Sequence, residues 1–137
     1  DRLEICAEVA IAFAKAQIAA GADIIGLGDA IASQMSPKSY RHYALPYEQR
    51  IFAAVHEMGA LARLHICGNT SRILADMAQS GADIIDVDWM VDMGQAAALF
   101  GDRVAICGNH PFFAVDDWFI GTSGMPGGVP ASTRALR

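Results

Sequence analysis

The pentapeptide Gly-Ala-Asp-Ile-Ile occurs twice, at 21–25 and at 81–85. Each copy ends a stretch of helical character and opens a short apolar run. The chain therefore repeats one helix–strand unit, and that repeat narrows the fold more than any other feature. The stretch 3–20 is rich in Ala and long apolar side chains and stops at Gly21, the pattern of a helix with a glycine stop. A strand is predicted over 23–29, ending in an acid. Ser36-Pro37 supplies an N-cap followed by proline at the first helical position. The helix it opens runs to about Met58 and is broken by Pro46 into a kinked helix or two helices. A strand at 61–66 follows, then a helix at 72–80 capped by Thr70 or Ser71. A strand at 84–88, a helix at 92–100 and a strand at 103–107 complete the alternation. Strands separated by helices pair in parallel through crossovers. The predicted class is α/β, a partial (β/α)8 TIM barrel of about four parallel βα units. A closed barrel takes about 250 residues, so 137 residues are expected to form part of one. Such a piece would bare strand edges and is expected to self-associate or dissolve poorly.

Composition excludes several function classes. The formal net charge is −5 with no basic run, which argues against a nucleic-acid partner. No apolar stretch reaches the roughly 18 residues of a membrane span. Three widely spaced cysteines do not make a disulfide framework, and a reducing cytoplasmic compartment is expected. The Gly/Pro-rich stretch 121–130 changes the texture of the chain. The division expected is a barrel-like part at 1–111 and a divergent, disordered tail at 112–137.

The polar residues collect at one end of the predicted sheet. The first strand ends at Asp29, the second at His65 and Cys67, the third at Asp86 and Asp88, and the fourth at Cys107 and Asn109. Enzymes of this architecture place their chemistry at that end. Taken singly, each acid reads as a helix cap or a solvated loop residue; four strands sharing the placement point to a site. In His65-Ile66-Cys67-Gly68, residues i and i+2 share a strand face. An imidazole and a thiolate side by side form half of a zinc site, the alternative being a core His beside a buried Cys. Cys107 reads first as a small core residue, with metal ligation the second reading. Cys6 reads as core, His42 and His56 as surface or boundary residues, and Tyr40, Tyr43 and Tyr47 as a packing stripe. His110 has no assignable role.

Four segments carry a resemblance to the uroporphyrinogen decarboxylase superfamily. They are Gly28-Asp29 with Ser36-Pro37 and Leu45-Pro46-Tyr47; Leu64-His65-Ile66-Cys67-Gly68-Asn69; Ile85-Asp86-Val87-Asp88-Trp89; and Cys107-Gly108-Asn109. Members are (β/α)8 barrels, and the superfamily includes zinc methyltransferases acting on methylated corrinoid proteins. The decarboxylases of haem synthesis lack a metal and lack His-x-Cys-Gly. The methyltransferase branch has it and uses that His and Cys as zinc ligands, with a further Cys from a later strand end. The resemblance thus implies Zn(2+) on His65 and Cys67, with Cys107 a weaker candidate placed one strand too early. It also implies a corrinoid (methylcobamide) as substrate or on a partner protein. Candidate catalytic acids are Asp88, Asp29 and Asp86, with Asp88 foremost because Asp88-Trp89 resembles the superfamily's strand-end signature. They would orient the ligand imidazole or shape the pocket. After Asn109 the chain departs from the family's Gly-Asn-hydrophobic-Asp-Pro and reads Gly108-Asn109-His110-Pro111.

The implied activity moves a methyl group from a methylated corrinoid to a thiol. The alternatives are a metal-free decarboxylase acting on a tetrapyrrole, and a truncated, inactive fragment.

Overall fold

The computed structural model describes residues 2–108. The expected tail at 112–137, with Asn109 and His110, lies outside the described residues. Helix α1 spans Arg2–Ala19, strand β1 Ile24–Gly28, and a 3-10 turn Ala30–Gln34 leads to α2 (Pro37–Tyr43) and α3 (Leu45–Glu57). Then come β2 (Leu61–His65), the single turn α4 (Leu74–Met77), β3 (Ile84–Val87), α5 (Met93–Phe100), a 3-10 turn Gly101–Arg103 and β4 (Ala105–Gly108). All four strands are parallel and lie in the order β1-β2-β3-β4. Sequential order in a parallel sheet is the winding of a barrel, whereas a doubly wound sheet reverses direction once. The fold is therefore the partial α/β barrel that the alternation predicts.

Burial shows which face the helices cover. In β2, Ala62 and Leu64 are fully buried, while Leu61, Arg63 and His65 are exposed. Ile25, Ile66, Ile85 and Val87 join the covered face and pack with Phe52, Val55, Leu74, Met77 and Phe100. The two copies of the repeat do the same physical job. Gly21 and Gly81 both adopt positive φ, +102° and +87°, so that the chain can reverse into a strand. Ile25 and Ile85 then enter the core.

Ser36 accepts a hydrogen bond from the Ser39 amide, and Pro37 follows it, as expected of the cap. Pro46 resolves into two helices, since Ala44 separates α2 from α3. The helix expected over 72–80 is only one turn. Neither Thr70 nor Ser71 caps it: Asn69 Oδ1 accepts from the Ser71 amide and starts a turn instead, while Thr70 is buried with its hydroxyl unpartnered. Asx turns of this kind compete with helix initiation. The break at Ala44 also dissolves the tyrosine stripe: Tyr40 is buried, but Tyr43 is exposed.

Helix α1 corrects a second expectation. It buries Ala7 and Ala14, while Ile5, Val9 and Phe13 are 60%, 63% and 65% exposed. Spaced by four, they form a stripe that the described residues leave uncovered. Cys6 is exposed beside it and is not core. Cys107 is likewise exposed, because it sits on the sheet face that carries no helices.

Candidate functional site

Strand register assembles the site. His65 is opposite Gly28 of β1 and Asp86 of β3, and Asp86 is opposite Cys107 of β4. Residues opposite in register share a sheet face. His65, Asp86 and Cys107 thus form one row across the helix-free face, at or one step from the strand ends. Arg63 lies one pleat below His65 on the same face. Its Nε donates to Asp86 Oδ2 at 2.8 Å, and His65 Nδ1 is 3.6 Å from the same oxygen. Asp86 is nearly buried, and its Oδ1 has no partner. A carboxylate on the Nδ1 side of an imidazole turns Nε2 outward, which is the arrangement found behind metal-bound histidines.

Cys67 follows with the next turn of the alternation, half-buried after the buried Ile66. The loop that carries it is held by Asp88. The Gly68 amide donates to Asp88 Oδ2 and the Trp89 amide to Oδ1, both at 2.7 Å. Asp88 thus clamps the β2 and β3 loops, and each carboxylate oxygen has an amide donor. Asp88→Ala is expected to cost about 1–2 kcal/mol and to speed amide exchange at Gly68 by roughly tenfold. Unchanged exchange at Gly68 would dismiss the clamp.

The Asp29 amide donates to the His65 carbonyl at 2.9 Å, but its side chain lines a cavity with Leu27, Ile51 and Glu48. Sequence reasoning placed it with the other strand-end acids and missed its partners. Glu48 is 2% exposed and accepts from the Tyr40 hydroxyl at 2.5 Å, and Tyr40 is itself fully buried. The Asp29 carboxyl is within hydrogen-bonding reach of Glu48. Burial, reinforced by Asp29, pushes the Glu48 carboxyl up to about 7, against the lowering effect of the Tyr40 hydrogen bond. Burial also raises Asp29, and burial together with Glu48 raises the Tyr40 phenol, which stays a donor. The signal was present: Glu48 is in phase with Leu45, Ile51, Phe52 and Val55, the buried stripe of α3. A carboxyl on an apolar stripe marks a buried acid. Arg63 was missed as well, because nothing local in the sequence shows that Asp86 is opposite the residue two positions above it.

The donor chemistry of His65 and Cys67 suits zinc, and the carboxylate behind His65 suits a metal ligand. Among the described residues, no three His, Cys, Asp or Glu side chains are grouped closely enough to hold a metal. Cys107 shares the row with His65 but does not complete such a group.

The family model described as uroporphyrinogen decarboxylase (URO-D) matches residues 1–114. A uroporphyrinogen decarboxylase from Nocardia farcinica is 36% identical over 109 residues, covering 80% of this chain and 30% of that protein. The methylcobamide:CoM methyltransferase MtbA of Methanosarcina mazei is 37% identical over 136 residues, covering 98% of this chain and 38% of its own length. Among solved structures, a methyltransferase from Methanosarcina mazei superposes with a TM-score of 0.70 at 32% identity, over 77% of this chain and 32% of that one. The chain spans about a third of the length of the curated relatives it matches.

Proposed function

The chain belongs to the uroporphyrinogen decarboxylase family, and from that premise we propose that it forms part of a zinc-dependent methyltransferase moving a methyl group from a methylated corrinoid to a thiol. The observation that carries this reading is His65 at the end of β2, with the Asp86 carboxylate 3.6 Å from its Nδ1 and Cys67 two residues further on. The likeness to MtbA over 98% of the chain supports it.

In this reading His65 Nε2 and the Cys67 thiolate hold the metal, and a further donor comes from outside residues 2–108. Bound zinc stabilises the thiolate form of an incoming thiol. Arg63 Nε holds Asp86 by a hydrogen bond, and Asp86 would accept from His65 Nδ1, now 3.6 Å away, and so orient the imidazole. Asp88 fixes the loop that presents Cys67. The thiol would give up its proton to solvent, its sulfur would form the new bond to the methyl carbon of the methylated corrinoid substrate, and the electron pair of the broken methyl–cobalt bond would stay with the departing corrinoid. The partner is a corrinoid or corrinoid protein, and the compartment a reducing one in which the cysteines stay out of disulfides. No helix among the described residues is long and apolar enough to cross a membrane.

The protein purified from its source, mixed with methylcobalamin and a small thiol, is expected to shift the corrinoid spectrum as the methyl group leaves. Cys67→Ala is expected to lower that rate at least 100-fold, in line with the loss of a metal ligand. Consumption of uroporphyrinogen with no change in methylcobalamin would replace this reading with the decarboxylase one.

A further inference from the structure

The loops above the strand ends close around Cys67. On one side the Gly68 amide donates to Asp88 Oδ2. On the other Gly68 faces the 3-10 turn after β1, where a Cβ added to it would lie 3.3 Å from Ser33 Oγ. Both flanks carry exposed apolar side chains: Ile31 in the 3-10 turn, and Trp89, Met90 and Met93 between β3 and the first turn of α5. The turn that bears Trp89 is fixed at its backbone and its base. The Trp89 amide donates to Asp88 Oδ1, the Val91 amide donates to the Asp88 carbonyl at 3.0 Å, and the Val91 side chain is buried in the core. Trp and Met are enriched at binding surfaces, and an indole left in solvent on an ordered turn needs little further ordering when it binds. The stretch 86–93 also carries three acids and no Lys, Arg or His, so it repels a polycarboxylate and tolerates a ligand with a neutral rim.

We propose that Trp89 binds the methylated corrinoid, its indole lying against the corrin ring and Met90 and Met93 widening the apolar contact. This rests on the methyl-transfer reading and names what recognises the methyl donor. A corrin ring is broad, conjugated and nearly flat, with neutral amides along its edge. It offers an apolar face to an aromatic side chain while its amides stay in water. Asp88 couples this contact to the chemistry, since one carboxylate holds both the Trp89 turn and the loop that carries Cys67. A ring seated on Trp89 is thereby brought beside Cys67, where the methyl group has to be delivered.

The test is equilibrium dialysis of the full 137-residue chain against methylcobalamin, in the dark and without thiol so that no transfer occurs, with uroporphyrin as the polycarboxylate counterpart. Saturable methylcobalamin binding is expected, with uroporphyrin at least tenfold weaker. Trp89→Ala keeps the amide that Asp88 holds and is expected to weaken methylcobalamin at least tenfold. Trp89→Phe keeps an aromatic face and is expected to recover most of that loss. Absence of saturable binding to the unmodified chain, undiminished binding to Trp89→Ala, Trp89→Phe as weak as Trp89→Ala, or uroporphyrin bound as tightly as methylcobalamin would each overturn the proposal. So would a dimer that falls apart in Trp89→Ala, which would give the surface to a second copy of the chain. Methylcobalamin held through Trp89 by a protein that transfers no methyl group would leave this inference standing and remove the methyltransferase reading.

Discussion

Replacing Gly108 with Ala is expected to detach β4 from the sheet. A Cβ at this position would sit 2.3 Å from the Val87 carbonyl oxygen, a backbone atom of the neighbouring strand. Neither strand can yield without breaking the pairing of Val87 with Gly108. The residue also holds φ at +100°, which costs a side chain about 1–2 kcal/mol by itself. Together with an overpacking cost of about 1–3 kcal/mol, the expected loss is on the order of 2–5 kcal/mol. That is a large part of the stability of a small domain. Gly21→Ala is the control, since Gly21 has a similar φ of +102° but nothing within 4 Å of the added Cβ. It is expected to lose only the backbone part. Denaturant unfolding of both variants, with amide exchange along β3 and β4, measures the difference. Equal losses in the two variants would show that the close approach at Val87 is absent. The position matters to the site as well, because Cys107 precedes it and is opposite Asp86.

Stability is expected to fall as the pH rises through 7, with Glu48 the cause. Its carboxyl is raised from 4.5 to about 7 in the folded chain, chiefly by burial. Between those values the folded state binds a proton that the unfolded state has released. The contribution of the neutral acid is therefore complete below about pH 4.5 and is lost as the pH passes 7. Each tenfold change in protonation is about 1.4 kcal/mol, so the full span is about 3 kcal/mol. Asp29, raised in the same direction, adds to the trend. Glu48→Gln imitates the protonated acid: its carbonyl accepts from Tyr40 and its NH2 donates toward Asp29. The variant is expected to match the parent near pH 4.5 and to exceed it by about 3 kcal/mol at pH 8. Denaturant midpoints across that range check this, and parallel profiles for the two proteins would contradict it.

The parts of the fold that local physics dictates could be read from the chain. The repeated Gly-Ala-Asp-Ile-Ile, the Ser36-Pro37 cap and the break at Pro46 each act within a few residues, and each is where the sequence places it. The strand-end placement of His65, Asp86 and Cys107 followed from alternation, and register then set the three in one row. What sequence missed depends on contacts between distant segments. Cys6 lies on an apolar helix, yet α1 packs through Ala7 and Ala14 and turns Cys6 outward. Asp29 is one residue past Gly28 and so takes the other side of the strand, where Glu48 waits 19 positions on. Thr70 looked like a cap, but the Ile73 amide donates to its backbone carbonyl and its hydroxyl is buried without a partner.

Metal content of the protein purified from its source, read by native mass spectrometry, tests the central claim most directly. One zinc ion per chain is expected, absent from His65→Ala and from Cys67→Ala when each variant is purified in the same way. Purification of the unmodified protein without zinc from zinc-replete cells, or one zinc retained in both variants, would contradict the assignment of His65 and Cys67 as its ligands.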